Sequence, residues 1–139
     1  MISSKHWAFI LLGMFLTVAI GCSGNVQVKG KVVFSDDGSP LDFGTIFFES
    51  GNEVARGSIK EDGTFVMGFV NENDGMPPGT YSVSIKAVLI SGDPSSGVQM
   101  THLVDEKYSS GSTSGITITV DRSIKLPLEI KVDRFGTGK

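Results

Sequence analysis

Reactive side chains are scarce in this chain: 139 residues hold one cysteine, two histidines, one tryptophan and two tyrosines. A lone thiol, Cys22, excludes an internal disulfide. His6 and His102 are too few for an ordinary zinc site, which draws three or four ligands from His, Cys and carboxylates. Charge is thin and mixed, with 12 basic against 15 acidic residues and a net charge of −3, so the basic stripe that nucleic acid requires is missing. No run of like charge is long enough for a polybasic membrane patch or an acidic tail. Helical periodicity is absent after residue 21, and without a following helix no glycine-rich loop can cradle a phosphate. No segment recurs at a fixed period, which argues against propellers and solenoids.

What the chain does have begins with an apolar run, Trp7 to Ile20, behind Lys5 and His6 and ahead of small residues. That layout is the one secretory signals share. The run is shorter than the roughly 20 apolar residues of a membrane-spanning helix, so a retained anchor helix is the weaker alternative. Ala19-Ile20-Gly21-Cys22 resembles the lipobox of bacterial lipoproteins, although leucine usually stands where Ala19 does. The resemblance implies cleavage between Gly21 and Cys22 and acylation of Cys22 with chains such as palmitate. Each buried CH₂ contributes about 0.8 kcal/mol, so two or three chains anchor stably where one holds only marginally. Secretion with a free Cys22 is the other alternative. Ser23 stands where an aspartate would hint at retention in the inner membrane, so by analogy the outer membrane is favoured.

The expected organisation is a signal over 1–21, a lipidated tether over 22–25, a domain over 26–134 and a tail over 135–139. Loss of the signal leaves 118 residues with 11 basic and 15 acidic groups, enough for one domain. Within it the dominant period is two, in short segments broken by glycine-rich turns. Val26, Val28, Val32 and Phe34 share an inward register with Gly30, and Val33 is expected outward. Further strands are expected over Thr45–Glu49, Glu53–Lys60 and the Phe65, Met67 and Phe69 face. A long strand carries Tyr81, Val83, Ile85, Ala87 and Leu89. Ile116, Ile118 and Val120, then Leu126, Leu128, Ile130 and Val132, complete seven strands. Pro127 cannot donate to a ladder, so the last strand is expected at an edge. The pattern predicts an all-β domain, a seven-stranded Greek-key sandwich with no α-helix, with a closed barrel as the alternative. Ser91 to Ser114 is expected to be a long loop.

The turns carry a second resemblance. Val28-Lys29-Gly30-Lys31-Val32, Gly38-Ser39-Pro40-Leu41 with Gly44-Thr45-Ile46-Phe47-Phe48, Asp62-Gly63-Thr64-Phe65, and Pro77-Pro78-Gly79-Thr80-Tyr81-Ser82-Val83 resemble the carboxypeptidase regulatory-like family. With the lipobox, Lys107-Tyr108 and Thr113-Ser114-Gly115, the arrangement is similar to small lipoproteins abundant in planctomycete bacteria. The resemblance implies a transthyretin-like sandwich at the cell envelope and no peptidase domain. The same motifs have a structural account: Asp-Gly pairs supply positive φ to tight turns, and Tyr81 can bond backwards as a corner tyrosine does.

Chemistry is not expected. After processing, a Ser-His-Asp arrangement would have to use His102 with a loop serine such as Ser109, Ser110 or Ser112. The oxygen-rich clusters Asn71, Glu72, Asn73 and Asp74, and Asp36, Asp37 and Asp42, do not follow calcium-loop spacing and are read as self-satisfied turns, so no cofactor is expected. The functional expectation is a non-catalytic, lipid-anchored envelope module that binds a protein or glycan. Its candidate surface is Met100, His102, Leu103 and Tyr108 in the 91–114 segment. If Leu103, Val104 and Tyr108 instead pin that segment to the domain, their role is structural. The alternative function is a scaffold without a specific ligand.

Overall fold

The computed structural model describes residues 24–137; Gly21, Cys22 and the expected signal lie outside them. Nine strands are present among the described residues: β1 Lys29–Phe34, β2 Gly44–Ser50, β3 Glu53–Ile59, β4 Thr64–Val66, β5 Gly79–Lys86, β6 Val88–Ser91, β7 Gln99–His102, β8 Thr117–Val120 and β9 Leu128–Val132. One sheet has the order β4-β1-β9 and a second the order β3-β2-β5-β8, while β6 and β7 form a separate hairpin. Both larger sheets have free edges, so the domain is not a closed barrel. All-β character is thus observed, with the two larger sheets turned to a common interior.

That interior follows from period two. Val32, Phe34, Phe65, Ile130 and Val132 from the first sheet join Ile46, Phe48, Ala55, Tyr81, Val83 and Ile85 from the second in one buried cluster. Gly30 sits in the inward register because nothing larger fits: a Cβ there would stand 2.6 Å from the Leu128 carbonyl oxygen and 2.7 Å from the Phe65 ring. Gly63, at φ +80°, closes the turn from β3 to β4 and approaches the Val32 carbonyl. Tyr81 is fully buried, and its hydroxyl donates to the Pro77 carbonyl at 2.7 Å, so the corner tyrosine is observed.

β9 lies at the edge of its sheet and pairs with β1 in parallel, Gly30 beside Leu128 and Phe34 beside Val132. Pro127 precedes its first paired residue, which agrees with the donor it lacks. The chain enters the domain at the Val26 to Met76 bridge, next to where β5 begins. β5 then runs about 26 Å to the other end, at about 3.3 Å per residue, and delivers the chain to the β6–β7 hairpin there.

Four expectations change. Val33 is buried, not outward, because the turn after β1 folds back, with Phe34 N–H donating to Ser39 and Leu41 N–H to Val32. Leu89 leaves the core face and is 45 % exposed, because the sheet ends at Lys86 and Ala87 accepts from Leu103 N–H instead. The 91–114 segment is not a loop: β7 returns alongside β6, and a 3₁₀ turn, Glu106–Ser109, leads into a single-turn helix α1, Gly111–Ser114. That turn of α-helix was not expected. Ser110 caps it by accepting from Ser112 N–H, and Gly115, at φ +72°, ends it.

Candidate functional site

The four expected surface residues separate in space. Met100 lies on β7, 67 % exposed, directly across from Ile90 of β6, itself 68 % exposed. Ile90 and Met100 thus share one exposed apolar face, and Val98, just before β7, is 52 % exposed beside it; together they form an apolar stripe that no other described residue covers. Asp93 is the only charged residue between Val88 and His102. His102 stands at the hairpin base, half-buried, with its ring stacked on Phe135 at 5.5 Å. Leu103, also half-buried, accepts from Phe135 N–H. Residue 135, assigned by sequence to a tail, is therefore part of this base.

Tyr108 belongs to a different device. It is 5 % exposed, its hydroxyl donates to an Asp133 carboxylate oxygen at 3.2 Å, and it accepts from Asp133 N–H. Lys107 and Ser35 bond the same carboxylate. The Lys107 ammonium, then the Ser35 hydroxyl, hold the Asp133 carboxyl below its usual range, and Asp133 in turn raises Lys107. This knot ties the 106–109 turn to the end of β9. Next to it, the Arg134 guanidinium stacks on Phe34 at 3.7 Å and reaches Asp36 at 2.8 Å and Asp37 at 3.0 Å. Bonds from the Ser39 hydroxyl and amide, together with Arg134, pull the Asp37 carboxyl down to about 2.

Beneath the hairpin base is a cavity of about 230 Å³, lined by residues that include Lys86, His102, Asp105, Glu106 and Ser109. A serine, a histidine and an aspartate thus meet, but their bonds point elsewhere. Ser109 donates to the Glu106 carbonyl at 2.7 Å, and Asp105 accepts from Lys107 N–H, capping the 3₁₀ turn. Ser110 and Ser112 bond to one another at α1. No hydrogen bond joins His102 to a serine among the described residues, and the base-to-nucleophile contact of a triad is not formed.

The oxygen-rich turns are likewise engaged. Asp74 accepts from Phe69, Val70 and Asn71 N–H groups, and these bonds lower its carboxyl. Asp36 and Asp37 serve Arg134. Among the described residues no group of three or more His, Cys, Asp or Glu is placed to hold a metal ion, and no helix is long and apolar enough to cross a membrane.

A larger site escaped the sequence. On the outer face of β2 and β3 lies an open groove of about 490 Å³, walled at one side by Glu72 and Asn73. Phe47 lies on its floor between Thr45 and Arg56, with Ser58 further along β3 and Lys60 just past its end. Lys86 of β5 holds its ammonium 5.4 Å from the Phe47 ring centroid. The only hint in the sequence is that Arg56, Ser58 and Lys60 alternate with buried Ala55, Gly57 and Ile59. The neighbours of β3 that complete the groove come from β2, β4 and a loop, and are not legible from spacing.

Comparison with known protein families, with curated proteins and with solved structures finds no match for this chain.

Proposed function

We propose that the protein is a lipid-anchored, non-catalytic binding module of the cell envelope, of transthyretin-like Greek-key type, moored through Cys22 and engaging a protein or glycan partner. The observation that supports this is the polarity of the domain. The chain enters at the Val26–Met76 end, while the apolar hairpin leaves from the opposite end of β5. A tether over 22–25 would therefore hold the hairpin on the side away from the bilayer. Exposed apolar stripes on small domains mark interaction sites, and an isolated two-stranded hairpin gains little stability by itself. The outer membrane is the favoured location.

The anchor is tested by feeding cells a fatty-acid probe and comparing wild type with Cys22→Ala, where label should be lost. The binding role is tested with a photo-crosslinker at position 100 in intact envelopes. One stoichiometric adduct supports a binding module; none supports a scaffold with no specific ligand.

A further inference from the structure

We propose that the groove over β2 and β3 is a binding site for an acidic saccharide, a chain of sugar rings bearing carboxylates. This deepens the binding reading by naming a ligand class, but it stands on a surface separate from the hairpin, so either can fail alone.

Charge makes the first part of the case. The protein is net acidic, yet the lining of the groove carries two cations, Arg56 and Lys60, against a single carboxylate, Glu72, and a third cation, Lys86, stands beside it over Phe47. Among the described residues none of the three makes a salt bridge, whereas Lys107, Lys131 and Arg134 all do. Cations with no carboxylate paired to them leave a positive potential for an anion to neutralise.

Shape and lining argue for sugar. The groove is a half-open depression, not an enclosed cavity, which suits a segment of a polymer better than the enclosure of small-molecule sites. Arg56 on β3 and Lys60 just past its end both line the groove, four residues apart in the chain, so the two cations are spread along it and not gathered at one point. Between and beside them, Phe47 offers an apolar surface for the C–H face of a ring, and the Thr45 and Ser58 hydroxyls offer bonds to ring hydroxyls. An acidic peptide finds less here. β2 is paired on both sides, and the free side of β3 is interrupted at Arg56 by reciprocal bonds with Gly68, which leaves little continuous edge for strand addition.

The test is calorimetric titration of the full chain, purified in detergent, with a galacturonic acid pentamer, its methyl ester and poly-glutamate. The free-acid pentamer should bind, and binding should weaken as salt rises. Arg56→Gln with Lys60→Gln should lower affinity about tenfold or more, with an unchanged melting temperature showing that both variants fold. Lys125→Gln, on the exposed approach to β9, should leave affinity as it is. The proposal is overturned if the pentamer does not bind, if the ester binds equally well, if the double variant keeps its affinity, or if poly-glutamate binds more tightly, in which case the groove serves an acidic peptide.

Discussion

β5 and the β6–β7 hairpin are consecutive in the chain and both carry large apolar side chains, but their surroundings are opposite. Tyr81, Val83 and Ile85 of β5 are at most 1 % exposed, held between β2 and β8 and turned to the core. Ile90 and Met100, equally apolar, face solvent at 68 % and 67 %. The comparison teaches that alternation identifies a strand and one of its faces; whether that face is buried depends on whether a second layer arrives. For β5 it does. For the hairpin nothing in the described chain does, so its apolar residues add little to folding and remain free for a partner.

Five measurements sharpen or break that contrast. The largest effect is expected for Phe48→Ala beside Tyr81 in the core, a loss of about 3–5 kcal/mol in urea unfolding. Next, Gly30→Ala should cost about 1–3 kcal/mol in the same assay, because the added methyl meets backbone at 2.6 Å. Tyr81→Phe leaves the Pro77 carbonyl without its donor and should cost about 1 kcal/mol, read as a lowered melting temperature. The acid limb comes fourth. The Asp37 carboxyl is depressed on folding, so its contribution is complete above its ordinary value of 3.8 and is lost as pH falls towards about 2. In Asp37→Asn the acid unfolding curve should be shallower across that window. The smallest effect is expected at the hairpin: Ile90→Ser and Met100→Ser should each stay within about 0.5 kcal/mol of wild type in urea. A loss of 2 kcal/mol there would show that the stripe is buried after all, and the contrast would be gone.

Legibility in the sequence followed the same division. Where an apolar face meets the other sheet, alternation marked the strand and its inward residues in β1, β5 and β9, including the small Gly30, and marked the strands alone in β2 and β3. That Tyr81 bonds backwards was legible because the contact is local; that Pro77 is the acceptor was read from the structure. The failures are places where non-local contacts decide. β7, Gln99–His102, carries no apolar alternation and is a strand only because β6 lies beside it. The 106–114 turns depend on Tyr108 reaching Asp133, 25 residues away. Val33 is covered by a turn that folds back over it. The groove was the least legible, because Phe47, Arg56 and Lys86 become neighbours only through the β3-β2-β5 order.

The parallel pairing of β1 with β9 has one more implication. First and last strands that run side by side in the same direction send the two termini out of opposite poles of the domain. A reporter or a second domain grafted beyond β9 would be displayed at the pole of the hairpin, at the far end of the domain from the Val26–Met76 bridge.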